Sequence, residues 1–111
     1  MAEHFKLTTQ KIKNISIINI EGNVTASTSD AFENTYQTTT EQKILLSFRE
    51  QDQINSGGIA ILIDLIASAQ KDNKQIAIAH PRAHFRKVFD LVGLPEFITI
   101  FESKEEALKT L

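Results

Sequence analysis

Asn55-Ser56-Gly57-Gly58 places a hydroxyl between an amide and two glycines, and it is the stretch of this sequence best composed for chemistry. It follows the apolar run Lys43-Ile-Leu-Leu-Ser-Phe48 and opens a longer one, Ile59 to Ala69. Asn and Ser both favour helix N-cap positions, so either Asn55 or Ser56 can begin the helix that the longer run implies. Ser56 then stands in the positive end of the helix dipole, among backbone N–H groups that have no intrahelical partner. A phosphate on that hydroxyl adds about −1.5 to −2 charge and three acceptor oxygens without melting the helix. The glycine pair lets the backbone approach closely whatever lies opposite. The competing reading is a plain helix cap, which Asn-Ser-Gly-Gly supplies cheaply. A nucleotide cradle fits less well, because the Gly-x-x-x-x-Gly-Lys-Ser/Thr pattern needs a lysine after the glycines and none follows.

Other chemistries find less to work with. His80 and His84 are four apart, but Pro81 between them is placed to start a helix, leaving His80 in the preceding loop and off the face of His84. His4 sits apart near the N-terminus. The chain has no cysteine, which excludes disulfides, thiol catalysis and thiolate metal sites, and neither a metal nor a cofactor is expected. No Gly-x-Ser-x-Gly elbow or local Ser/His/Asp set marks a nucleophile. The pairs Asp30–Glu33 and Glu102–Glu105 belong to helix starts, where carboxylates are favoured. Lys71, Lys74, Arg82, Arg86 and Lys87 enclose a single acid, Asp72; they read as a solvated face, with a docking patch for an acidic partner as the alternative. Catalysis has no positive support, and the chain is not expected to be an enzyme.

The elements that must position Asn55–Gly58 follow from apolar spacing. The 111 residues amount to one domain, 1–111, with no linker, repeat or low-complexity tract. That length buries roughly two-thirds of the unfolded surface, enough for a core without staples. Twelve basic against fourteen acidic residues argue against sequence-independent nucleic-acid binding, which needs a surplus of Lys and Arg. No apolar run nears the roughly 20 residues that span a bilayer, and the opening MAEHFKLTTQ has no signal-peptide core, so membrane insertion is not expected and the default address is the cytoplasm.

Phe5–Ile12 and Ile15–Ile20 read as strands of a hairpin turning at Lys13-Asn14, where Asn14 takes a turn conformation cheaply. Ser27 with Asp30, or Asp30 with Glu33, opens a helix carrying Phe32 and Tyr36. Lys43–Phe48 is a buried strand. Ile59–Ala69 is a helix with a narrow polar stripe at Asp64, Ser68 and Lys71. Gln75–Ala79 is a strand ended by His80-Pro81. Phe85, Val88, Phe89 and Val92 form a helical stripe that Gly93 and Pro95 stop. Phe97–Phe101 is a last strand, and Ser103 with Glu106 caps a last helix carrying Ala107, Leu108 and Leu111. The order ββ-α-β-α-β-α-β-α implies an α/β fold: a mostly parallel five-stranded sheet with one antiparallel N-terminal strand and four helices.

With those residues in place, Ile54-Asn55-Ser56-Gly57-Gly58-Ile59 resembles the switch loop of the STAS domain, the fold of bacterial anti-sigma factor antagonists. In that family an Asp-Ser-Ser/Thr-Gly-Leu motif begins the second helix, and its first Ser is phosphorylated. Ser56 falls on that position, Gly58 on the Gly and Ile59 on the Leu. Gly22-Asn-Val-Thr25 is similar to the family's turn after the second strand. Phe89-x-x-Val-Gly-Leu-Pro and Phe101-Glu-Ser-x-Glu-Glu-Ala107 resemble its third helix and final strand–helix junction. Asn55 stands for the usual Asp and Gly57 for the second hydroxyl, while Ser47 and Gln51 stand where the family often has Asp and an apolar residue.

The resemblance implies a transcription-regulating signalling phosphoprotein that works by protein–protein interaction. Its unphosphorylated form would bind an anti-sigma factor with serine-kinase activity, phosphorylation of Ser56 would end binding, and a metal-dependent serine phosphatase would restore it. Thr25, Asn55, Ser56, Gly57, Gly58 and Ile59 are the partner-binding residues so implied, with a largely apolar docking surface around Gly57, Gly58 and Ile59. The departures at Asn55 and Gly57 support a rival, a constitutive scaffold or transport-accessory STAS protein without a phospho-switch. A small enzyme or nucleotide-binding domain is a third reading and would need a ligand at Asn55–Gly58.

Overall fold

The computed structural model describes residues 5–79 and 83–111. Two strands, β1 (Lys6–Ile12) and β2 (Ile15–Glu21), form the opening hairpin. After them come α1 (Ser29–Gln37), β3 (Lys43–Ser47), α2 (Ser56–Lys71), β4 (Gln75–Ala79), α3 (Ala83–Leu91), β5 (Thr99–Phe101) and α4 (Lys104–Thr110). Short 3-10 helices precede α1 at Ala26–Thr28 and β5 at Leu94–Glu96. The sheet has the order β1-β2-β3-β4-β5; β1 is antiparallel to β2 and every later pair is parallel. This is the α/β architecture that the alternation of elements implies.

That strand order dictates the layers. Each crossover from β2 onward advances one strand in the same direction, so crossovers of one hand leave α1, α2 and α3 on the same face. The period-2 alternation of strand side chains shows it. Ile18, Ile20, Ile44, Leu46, Ile76 and Ile78 pack with Phe32, Tyr36, Leu62, Ile66, Phe85 and Phe89 of the three helices. Ile15, Ile17, Leu45, Ala77 and Phe101 point the other way, where α4 covers them through Ala107, with Leu108 and Leu111 alongside. The face that carries α2 is therefore the thickly covered one.

Several local expectations are corrected. The hairpin places Lys13, not Asn14, in the left-handed region, at φ 57°, and a lysine there costs about 1–2 kcal/mol that the seven-residue pairing around it offsets. The last strand begins at Thr99 and not at Phe97. Gly93 turns left-handed at φ 78° and starts the 3-10 helix, which turns Phe97 outward to 60% exposure while Leu94 and Ile98 fill the core. Val92 falls beyond the end of α3 and is 46% exposed, so the buried stripe of that helix is Phe85 and Phe89 with Val88 partly covered. At α1 neither Ser27 nor Asp30 caps: the N-cap is Thr28, with no side-chain hydrogen bond. At α4 Ser103 does cap, accepting from the Glu106 N–H at 3.0 Å. His4 and the His80-Pro81 stop lie outside the described residues. Among the described residues no group of three His, Asp or Glu could hold a metal ion, and no helix is long and apolar enough to cross a membrane.

Candidate functional site

The chain leaves β3 at Ser47 and reaches α2 through residues 48–55, and this connection is fastened to the turn after β2, some thirty residues away. Asp52, only 5% exposed, is the anchor. Its carboxylate accepts from the Gly22 N–H at 2.9 Å and from the Arg49 Nε and Nη2 at 2.8 and 2.9 Å, a two-point fork. The carboxylate in turn holds the Arg49 guanidinium above its ordinary pKa. Next along, the Gln53 N–H donates to the Asn23 side-chain carbonyl at 2.9 Å. The Val24 N–H then donates to Gln53 at 2.8 Å, and the Asn55 N–H to the Val24 carbonyl at 3.2 Å. Val24 and Ile54 thereby form a short parallel bridge. Two loops far apart in sequence become one platform, with a small cavity of about 210 Å³ along their seam.

At the end of that platform the start of α2 is settled. Asn55 is extended, at φ −103° and ψ −176°, and its side-chain carbonyl accepts from the Gly58 N–H at 2.9 Å. Asn55 is the cap, and the plain-cap reading of Ser56 is overturned. Ser56 is the first helical residue. It is exposed, and its hydroxyl holds no hydrogen bond among the described residues. The first turn of α2 has no acidic side chain to offset the dipole.

The glycines have an internal purpose. A Cβ on Gly58 would stand 2.3 Å from the Val24 carbonyl oxygen and 2.6 Å from Ile54 Cγ1, and one on Gly57 would stand 3.0 Å from both Cβ and N of Ala26. What lies opposite the pair is the chain's own 24–26 segment. Gly58 and Ile59 are consequently buried, which corrects the expected apolar docking surface around Gly57, Gly58 and Ile59. Thr25 is half-buried beside Ala26, its hydroxyl 2.8 Å from that of Ser27. Thr25, Asn55, Ser56, Gly57, Gly58 and Ile59 are thus brought to one place, where Asn55 and Ser56 are exposed and Thr25 and Gly57 partly so.

Two features of the site are not evident from local sequence. Asp52 and Arg49 were passed over as loop polarity, and only the Arg-x-x-Asp spacing hints at their pairing. The apolar run Ile59–Ala69 also supplies Ala60, Ile63 and Ala67. All three are exposed, Ile63 at 43%, and they follow Ser56 at i+4, i+7 and i+11 as one stripe along α2. The only signal was that α2 carries too many apolar residues for one buried face.

Comparison with known proteins fits this geometry. The family model described as the STAS domain matches residues 6–107. An anti-sigma factor antagonist from Mycobacterium paratuberculosis has a similar structure, with a TM-score of 0.78 at 15% identity, covering 96% of this chain and 93% of that one. The Bacillus cell fate determinant SpoIIAA in its phosphorylated form aligns at 0.69 and 15% identity, over 96% of this chain and 98% of that one. The anti-sigma factor antagonist SpoIIAA in its unphosphorylated form aligns at 0.69 and 13% identity, with 96% of each chain covered. No curated protein matches the chain in sequence.

Proposed function

The chain belongs to the STAS domain family, and from that premise we propose that it is a non-enzymatic regulator of the anti-sigma factor antagonist type, switched by phosphorylation of Ser56. One observation carries the reading: at the start of α2 the capping is done by Asn55, which leaves the exposed hydroxyl of the next residue unused. A hydroxyl with no structural duty can be modified without unfolding the protein. A phosphate there sits at the N-terminus of a 16-residue helix, where the dipole and open N–H groups favour it. The exposed stripe Ala60–Ile63–Ala67 next to it is apolar. A partner packed on that stripe tolerates a neutral Ser56, whereas a dianion must be desolvated against it at a cost of several kcal/mol.

On this reading the unmodified chain binds an anti-sigma factor with serine-kinase activity in the cytoplasm. Phosphorylation releases it, and a metal-dependent serine phosphatase resets the switch. The direct test is incubation with ATP and each candidate serine kinase of the source genome, followed by intact-mass analysis. A single addition of one phosphate that Ser56→Ala abolishes supports the switch. A chain that binds the anti-sigma factor yet is never modified supports the rival, a constitutive scaffold or transport-accessory protein, for which the missing second hydroxyl at Gly57 speaks.

A further inference from the structure

We propose that the groove between α1 and α2 is a docking surface for a basic, amphipathic helical segment of a partner protein. The groove encloses about 250 Å³, less than the roughly 300–1,000 Å³ of small-molecule sites. Its lining on α1 runs from Ser29 to Gln37, about 12 Å at 1.5 Å per residue, which is the length of two helical turns. That shape suits a few side chains repeating at helical spacing, the way an amphipathic helix enters a groove.

Phe32, Tyr36 and Leu65 lie buried beneath the groove, the half-buried Ile61 is its apolar contact, and its walls are Ser29, Glu33 and Gln37 on α1 and Asp64 and Ser68 on α2. The Tyr36 hydroxyl donates to Asp72 at 2.7 Å, so the tyrosine turns only its ring toward an occupant. Both rim carboxylates are exposed, and neither has an ion pair among the described residues. No lysine or arginine lines the groove. Of the lysines at the C-terminal end of α2, Lys71 closes the helix and Lys74 is held by the Thr39 carbonyl at 2.6 Å beneath the Tyr36 ring. Two unpaired acids facing each other across a narrow groove select a helix that presents Lys or Arg to the rims, with an aliphatic side chain between them against Ile61. The groove also adjoins the candidate site, because Ala26, just before α1, seats on Gly57 at the start of α2. None of these features depends on Ser56 being phosphorylated.

The test is a titration of the isotope-labelled full chain, followed by amide NMR, with two synthetic 16-residue helical peptides. One carries Leu on one face and Lys on the other; the second has Glu for every Lys. The Lys peptide should shift amides concentrated in residues 29–37 and 61–68 and bind about fivefold or more tighter than the Glu peptide, the size expected of two rim charge pairs. Glu33→Lys combined with Asp64→Lys changes only exposed positions and should reverse that preference, while Ser56→Asp should leave Lys-peptide affinity within about twofold, since the rim charges and not Ser56 set it. The proposal is overturned by absence of Lys-peptide binding at millimolar concentration, by equal affinity for the two peptides, or by an unchanged preference in the double variant. Shifts centred on the exposed Leu91 and Phe97 overturn it as well and move the docking surface there.

Discussion

The two ends of α2 are both tied to the segment that runs from β2 through α1, by opposite means. At the C-terminal end the ties are side chains: Tyr36 donates to Asp72 at 2.7 Å, and Lys74 donates to Thr39 at 2.6 Å while facing the Tyr36 ring. At the N-terminal end the ties are backbone and the absence of side chains. Val24, Gln53 and Asn55 exchange main-chain hydrogen bonds, and the two glycines let the helix sit directly on residues 24–26. At the far end the Tyr36 hydroxyl and the Lys74 ammonium are both held. At the near end the hydroxyl of Ser56 is left over, on a rigid support and open to solvent. A modification at the C-terminal end would break the tie it lands on, whereas one at Ser56 leaves its support intact.

The largest expected effect breaks the glycine seat. Gly58→Val places a branched side chain whose Cβ would stand 2.3 Å from the Val24 carbonyl oxygen, and should destabilise the protein by about 3 kcal/mol, at the upper end of overpacking costs. Chemical denaturation checks it; a loss under about 0.5 kcal/mol would show that α2 can lift off the 24–26 segment freely. Gly57→Ala, with contacts at 3.0 Å, should fall between that and neutrality, because the gain in helix propensity of about 1 kcal/mol opposes the crowding.

Smaller effects separate the hydrogen bonds at the two ends. Asn55→Ala should cost about 1 kcal/mol through loss of the cap to Gly58, and Tyr36→Phe about 1 kcal/mol through loss of the bond to Asp72. Hydrogen exchange should report the first as faster opening of residues 52–58 and the second as faster opening of residues 36–39 and 70–74. If either variant loosens both ends together, the ends are a single unit.

A pH titration distinguishes the ends without mutation. Burial and the Asp72 carboxylate push the Tyr36 hydroxyl from 10.0 up to about 12. A raised folded-state value favours the protonated form on folding, so this contribution is complete below pH 10 and disappears as pH rises from 10 to 12. Stability should therefore fall across that window in the wild type and less in Tyr36→Phe, as followed by thermal melts. Equal losses would remove Tyr36 from the account of the C-terminal end.

Much of this contrast was legible in the sequence, and the part that was not has a common cause. Apolar periodicity placed every strand and helix in order, and the strength of Asn as a cap placed the start of α2 within one residue. Periodicity reports residue type and not burial, so Val92 joins the helical stripe although α3 ends before it, and the strand is begun at Phe97 although the left-handed turn at Gly93 and the 3-10 helix after it turn that ring outward. For the same reason it does not single out Ala60, Ile63 and Ala67 as the exposed members of the run Ile59–Ala69. That Gly57 and Gly58 allow a close approach is legible, but what they approach is not, because the 24–26 segment is some thirty residues away, and so is the N–H that Asp52 binds. No local pattern announces a long-range partner.

The smallest expected effect on folding accompanies the largest on binding, and it tests the central claim most directly. Ser56→Ala and Ser56→Asp should each keep stability within about 0.5–1 kcal/mol of wild type, since the hydroxyl has no structural duty and the helix dipole favours the carboxylate. Isothermal titration of both variants against the anti-sigma factor of the same genome should then find Ser56→Ala binding like wild type and Ser56→Asp at least about tenfold weaker, the equivalent of about 1.4 kcal/mol. Equal affinities in the two variants, with both folded, would contradict a charge-operated switch at the start of α2.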